Sequence, residues 1–284
     1  MAENTSIEWC DHTWTLVVGC DPVSPACAKC YAALMASRLE AMGKPKYVGL
    51  ATRVGNIGKW TGEVRFDEAV LDLPLRTRRP GRWFLTSMGD IGHEKVTDGQ
   101  IASAFEVMQR AHWHTFLVLT KRTARFAERL PFNEPLRNVF IGCTAENQAQ
   151  ADEHRQHMRS IAAAGWRTFV SYEPALGQVN WTGWEFLQQL ISGGESGHDA
   201  RPSHQEWHRA ARDFAARHGI AYLFKQWGAW LPSGQQPGGG QERWKHTYSG
   251  SGGIEARNYG KKAAGRLLDG VEHNGFPDDA ALMG

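Results

Sequence analysis

Residues 19–32 read GCDPVSPACAKCYA and place Cys20, Cys27 and Cys30 in a C-x6-C-x2-C spacing. An apolar run, Trp14 to Gly19, precedes the stretch, and a run with helical spacing, Ala28 to Met42, follows it. Gly19, Pro22 and Pro25 shape a loop between the two. A helix N-terminus beside that loop favours the negative charge of thiolates. The cysteines therefore lie at the strand-to-helix turn of one βα unit, the end at which α/β folds carry their chemistry.

The same unit recurs along the chain. Short, continuously apolar runs at Trp83 to Ser87, Thr115 to Thr120, Val139 to Cys143, Thr168 to Ser171, Leu190 to Ser192 and Ile220 to Phe224 read as strands. Continuous apolar character suits strands buried on both faces, as in a parallel sheet covered by helices. Helical spacing appears between them at Asp98 to Arg110, Thr123 to Leu130, Asn147 to Ala163 and His204 to His218. Alternation of this kind predicts right-handed crossovers and either a barrel or an open doubly wound sheet. Most strand ends carry polar groups: Ser87 to Asp90, Lys121 and Arg122, Glu146 and Asn147, Glu173, Glu195, then Lys225 and Gln226. A shared active-site face accounts for that recurrence better than isolated helix caps do.

Composition narrows the class. The chain has 284 residues, of which 42% are hydrophobic, enough for a sizeable core. No run approaches the roughly 18 apolar residues of a membrane span, and the N-terminus lacks the layout of a signal peptide, so a cytoplasmic location is expected. A net charge of +2 argues for no particular partner. The cluster Arg76, Arg78, Arg79 and Arg82 reads as a solvated loop on charge alone. Twelve tryptophans are compatible with stacking on a base. From Leu231 to Gly253 the chain turns rich in Gly, Ser, Gln and Pro, which predicts a linker or flap (231–253) between a domain at 1–230 and a tail at 254–284. The pairs His154 with His157 and His204 with His208 have ligand-like spacing but read as helix-face residues.

Five cysteines, three of them in one loop, are no disulfide framework; they point to metal or catalysis in a reducing compartment. A closed zinc site or a fully ligated [4Fe-4S] carrier wants four ligands and would have to recruit Cys10, Cys143 or a histidine. Three thiolates leave one metal position open.

Together the loop and the βα succession resemble the radical S-adenosylmethionine superfamily. The resemblance implies a partial (β/α)6 TIM-like barrel with a flexible C-terminal extension, a [4Fe-4S] cluster on Cys20, Cys27 and Cys30, and S-adenosyl-L-methionine on the open iron. The commonest spacing in that superfamily is C-x3-C-x2-C with an aromatic before the last cysteine. Here the first gap is six residues and the aromatic, Tyr31, follows Cys30. The segments IEWCDHTW, CDPVSPACAKCYA, SMGDIGHE, LTKR, GCTAENQ, VSYEPALG, ISGGESGHDARP and FKQWGAW, in that order, resemble a phage-associated family of this superfamily, of the thymidine-hypermodification isomerase type.

The resemblance also implies site residues. SMGD takes the place of an element that holds the amino group of S-adenosylmethionine, which makes Ser87 and Asp90 candidate cofactor ligands; a plain turn is the equal alternative. Glu146, Glu173 and Glu195 are expected to face cofactor or substrate, with Arg201 as a carboxylate or phosphate fork. Lys225 and Gln226 reach substrate or pack the barrel floor. The implied reaction isomerises an N-linked glycinylthymidine to its C-linked form in phage DNA, in the host cytoplasm, with DNA or a modified nucleotide and an electron donor as partners. Protection of viral DNA from host restriction would follow. Repair of a damaged pyrimidine by a lyase and a non-enzymatic zinc-binding nucleic-acid module are the alternatives.

Overall fold

The first parallel strand, β1 (His12–Trp14), leads to the cysteine loop through a second short strand, Val17–Val18, which pairs antiparallel with Arg65–Phe66. A turn closed by Leu16 N–H on the Trp14 carbonyl breaks the expected Trp14 to Gly19 run in two. The computed structural model describes the whole chain except residues 1–2, 6, 131–133, 239–242, 251–252 and 278–284.

Two units make up the chain, and the first contains Met1–Cys143 and Gln156–Thr168. In it β1 pairs parallel with β2 (Arg82–Leu85), β2 with β3 (Thr115–Thr120) and β3 with β4 (Val139–Thr144). Every residue of β4 and all but one of β3 are buried, the two-sided burial that their apolar runs require. Helix α1 (Tyr31–Ala41) follows the cysteine loop, α2 (Asp98–Arg110) follows β2 and α3 (Thr123–Glu128) follows β3. A capping box between Thr97 and Gln100 fixes the start of α2, and Ile101, Ala104, Phe105 and Met108 turn one stripe of it into the core. Each such buried Phe or Leu contributes about 1.5–3 kcal/mol.

Helix α1 packs differently. Its buried residues are Ala32, Ala33 and Ala36. They let its backbone close on a hairpin of Ala51–Val54 and Ile57–Trp60, where a Cβ on Gly58 would stand 2.1 Å from the Leu34 nitrogen. Cys30 and Trp60 pack against the same alanine-lined cluster, so this contact positions the last cysteine.

Unit 2 contains Thr144–Arg155 and Phe169–Pro277. Here β5 (Arg167–Tyr172), which belongs to this unit from Phe169 on, β6 (Gln189–Gly193) and β7 (Ala221–Gln226) pair parallel, in chain order. Helix α4 (Gln148–Ala163) precedes β5, and α5 (Gln205–Arg217) joins β6 to β7. A separate three-stranded antiparallel sheet sets Glu255–Asn258 between Trp230–Pro232 and Thr247–Ser249. The segment 231–253, expected as linker or flap, thus holds strand residues at both ends; residues 239–242 and 251–252 of it, and 278–284 of the tail, lie outside the described residues.

The chain is α/β, with the strand and helix succession of a partial (β/α)6 TIM-like barrel. No helix among the described residues is long and apolar enough to cross a membrane.

Candidate functional site

In unit 1 the cysteine loop and the SMGD turn are held together by two glycines. Gly19 (φ 92°) and Gly89 form a parallel bridge, and Gly19 N–H donates to the Met88 carbonyl at 3.0 Å. A Cβ on Gly19 would meet the Glu63 carbonyl oxygen at 2.0 Å, and one on Gly89 would meet the Val17 oxygen at 2.7 Å. No side chain fits at either position, so the two loops lie backbone to backbone. Tyr31 adds a second tie, its hydroxyl donating to the Ser87 carbonyl at 2.8 Å.

Between the cysteines the chain winds into a short 3-10 helix, Pro25–Lys29, and Cys30 caps the start of α1. Cys20, Cys27 and Cys30 are partly exposed as residues, Cys10 and Cys143 are buried, and none of the five cysteines is in a disulfide. Ser24 Oγ and Cys27 Sγ are 3.5 Å apart. Burial pushes the Cys20 thiol up to about 12, with Asp90 adding to the rise while Arg122 opposes it. Burial likewise raises Cys30, against the pull of the Ala33 and Ala32 amides, and the Cys27 charge raises it further. Even with Arg122 beside it, the Cys20 thiol favours its protonated form. Among the described residues no three His, Cys, Asp or Glu side chains converge as a metal cage.

Arg122 organises the polar groups around Cys20. Its guanidinium donates to Asp90 Oδ2 at 2.9 Å, lies 3.7 Å from Cys20 Sγ, and forms an ion pair with Asp21 Oδ1. Burial alone would lower its pKa, but the charges of Asp90 and Cys20 outweigh that and keep it firmly cationic. Asp90 is buried and accepts four hydrogen bonds: Gly92 N–H at 2.9 Å, Thr120 Oγ1 at 2.6 Å, Lys121 N–H at 3.1 Å and Arg122. Its acceptor sites are fully used. Asp21 also meets buried His93, at 2.9 Å from Nε2. The Lys95 amide donates to His93 Nδ1, so the proton sits on Nε2 and points at Asp21.

Sequence reasoning placed Cys20, Ser87, Asp90 and Arg122 at strand ends but missed Asp21 and His93. The only signal for them was their position, beside Cys20 and within SMGDIGHE. Thr86, just before Ser87, was also missed. It is a buried β-branched residue at φ 63° whose hydroxyl has no partner. Strain of this kind costs of order 1–3 kcal/mol and gathers at functional turns.

Unit 2 holds the other expected residues. Glu173 follows β5, and its carboxylate accepts from Lys225 Nζ at 2.9 Å and Gln226 Nε2 at 3.1 Å. Gln226 also donates to the Gly194 carbonyl at 3.0 Å, while its own Oε1 is buried without a partner. A Cβ on Gly194 would stand 2.1 Å from the Trp227 oxygen, so this loop too approaches backbone to backbone. Glu195 is buried and grips Arg201 through Nε at 2.8 Å, the backbone amide at 2.7 Å and Nη2. That hydrogen bonding, with the charges of Glu195 and Glu146, raises the Arg201 pKa. Glu146 is fully buried.

The histidine pairs are not the surface residues expected. His208 lies in the core, between Ser192 Oγ at 2.6 Å and Ser203 Oγ at 2.9 Å, and burial lowers its pKa to about 3. His204 caps α5 by accepting from Glu206 N–H, His154 is buried, and His157 Nδ1 is 3.0 Å from Thr123 Oγ1. Of the arginine cluster, Arg76 pairs with Asp72 and Arg82 with Asp11, while Arg78 and Arg79 are exposed.

A family model described as "Protein of unknown function (DUF5131)" matches residues 4–277. The chain belongs to that family. No curated protein matches it. Among solved structures, a spore photoproduct lyase complexed with dinucleoside spore photoproduct is 12% identical with a TM-score of 0.43, covering 91% of this chain and 71% of its own. A point mutant of a spore photoproduct lyase gives 11% identity and a TM-score of 0.44 over the same shares. A further mutant, with bound AdoMet and dinucleoside spore photoproduct, gives 12% and 0.43.

Proposed function

We propose that this chain is a radical S-adenosylmethionine enzyme that isomerises an N-linked aminoacyl thymidine, of the glycinyl type, to its C-linked form in DNA. The observation that carries the reading is the cysteine loop itself. Three partly exposed cysteines follow the first parallel strand, while the two other cysteines are buried. Soft thiolates suit iron, and three of them leave one iron without a protein ligand. The donor set therefore fits a [4Fe-4S] cluster, and Cys20, Cys27 and Cys30 would hold it. Held there, the group would supply one-electron reductive cleavage of S-adenosylmethionine and, through it, hydrogen-abstraction chemistry.

The protein's own groups prepare for that charge. Arg122, held by Asp90 and Asp21, sets a fixed cation beside Cys20 and favours its thiolate. Because Asp90 is saturated, it positions Arg122, and Ser87 at the strained turn is the better candidate for contact with the cofactor. In unit 2, Glu173 and Glu195 fix the cations Lys225 and Arg201, groups suited to a carboxylate or phosphate. Glu146 remains a candidate for cofactor contact by its position after β4. An electron donor in the host cytoplasm and escape of viral DNA from restriction belong to the same reading.

Product analysis tests the substrate. DNA carrying N-glycinyl thymidine is incubated anaerobically with reconstituted enzyme, S-adenosylmethionine and dithionite, then digested for chromatography and mass spectrometry. A nucleoside of unchanged mass, shifted retention and a new primary amine is expected. No conversion of that DNA, with separation of a dipyrimidine lesion instead, would replace the isomerase with a repair lyase.

A further inference from the structure

We propose that the exposed face of the three-stranded sheet in unit 2 docks a single strand of nucleic acid. Along its central strand, Glu255 and Arg257 turn to solvent while Ala256 and Asn258 are buried. Thr247 lies directly opposite Arg257, so the two share the exposed face. Backbone pairing continues beyond the strand: Lys245 N–H donates to the Asn258 carbonyl and Asn258 N–H to the His246 carbonyl, each at 2.8 Å. The chain next to Trp244 is thereby held along the sheet. The Trp244 indole N–H donates to Thr247 Oγ1 at 3.2 Å, and the Arg257 guanidinium lies 4.2 Å from the centre of the ring. The ring is fixed in place, yet 44% exposed.

A single exposed aromatic means little by itself. This one is pinned by a hydrogen bond, stacked by an arginine and flanked in sequence by exposed Arg243 and Lys245. Residues 243–266 contain six Lys or Arg against one Glu, a local charge of +5 in a chain whose total is +2. Four of those cations, Arg243, Lys245, Lys261 and Lys262, are exposed along with Arg257. Non-specific single-strand binding needs these two features, cations for phosphates and a π face for bases. An arginine over the ring strengthens the pair and keeps N–H groups at its edge for phosphate. A duplex hides its base faces, and the carboxylate side chains of an acidic peptide offer the indole no ring to stack on. The exposed indole therefore selects a single strand.

This surface goes beyond the proposed chemistry, because binding there needs neither cluster nor S-adenosylmethionine. The test is fluorescence anisotropy of a labelled oligothymidylate with the full chain, as purified and after iron reconstitution. Saturable binding at low salt is expected in both states, weaker for the matching duplex. Trp244→Ala should weaken binding roughly tenfold and Trp244→Phe by less. Lys245→Ala should lower the slope of log affinity against log salt by about 0.7. Unchanged thermal unfolding of these exposed-site variants shows that folding is intact. Absence of binding, equal binding of duplex, or wild-type binding by Trp244→Ala overturns the proposal. Formation of 5'-deoxyadenosine, measured separately, leaves the two failures distinguishable: a chain that binds the strand without cleaving S-adenosylmethionine keeps the surface and loses the chemistry.

Discussion

Asp90 in unit 1 and Glu173 in unit 2 are both carboxylates at strand ends, and both hold a cation, but their surroundings differ. Asp90 is 5% exposed and accepts four hydrogen bonds, two of them from backbone amides. Glu173 is partly exposed, accepts from two side chains, and has beside it a buried Gln226 Oε1 with no partner. A saturated buried carboxylate is a fixed part of the frame, since every lone pair is committed. A half-used one has capacity left for a ligand. Both carboxylates follow a parallel strand, Asp90 five residues after β2 and Glu173 directly after β5, and the number of donors sets their roles apart.

That contrast can be broken most readily at Asp90. Asp90→Ala leaves two amides and a hydroxyl without their acceptor and Arg122 with Asp21 as its remaining carboxylate, and should cost about 3–5 kcal/mol in urea unfolding. Stability within about 1 kcal/mol of wild type would show that Asp90 is not the fixed anchor described.

An effect spread over several pH units, and smaller at any one pH step, comes from His208. Its folded pKa is lowered by burial to about 3 from an ordinary value of 6.5. The unfolded chain therefore takes up a proton that the folded chain refuses. Stability contributed by the neutral imidazole is full above about pH 7 and is lost as pH falls towards 3, by at most about 1.4 kcal/mol per pH unit. Urea unfolding at several pH values should show this acid limb, and His208→Gln should flatten it. An unchanged slope in the variant would place the acid sensitivity elsewhere.

The smallest effect on stability is expected at Glu173. Glu173→Gln removes the charge partner of Lys225 but keeps an acceptor oxygen for it and most of the packing, and should cost less than Asp90→Ala, which removes every acceptor. Turnover should fall far more than stability does. A stability loss as large as that of Asp90→Ala would erase the contrast between the two carboxylates.

Much of the architecture was legible in the sequence. Thr115–Thr120 and Asp98–Arg110 occur as expected because each signals locally, one by an unbroken apolar run and the other by its cap and its stripe. The hairpin Ala51–Val54 with Ile57–Trp60 was missed because its first strand is mostly exposed and shows no apolar alternation. Glu255–Asn258 and its neighbours stand in or beside Gly-rich sequence, and their strand form depends on pairing across tens of residues. The candidate site follows the same rule. Cys20, Cys27 and Cys30 announce themselves by spacing, whereas Asp21 and His93 meet across 72 positions and only folding joins them. Arg122 and Cys20 are 102 apart, which hid this cation placed against a cysteine.

The central claim rests on three thiols from one loop. Chain purified without oxygen and reconstituted with iron and sulfide is reduced with S-adenosylmethionine, and both bound iron and 5'-deoxyadenosine are measured for wild type, Cys27→Ala, Cys10→Ala and Cys143→Ala. The account expects about four irons per wild-type chain and production of the nucleoside. It expects both to be lost in Cys27→Ala and kept in the other two variants. Stoichiometric zinc without nucleoside, or an equal loss in Cys10→Ala or Cys143→Ala, would contradict it.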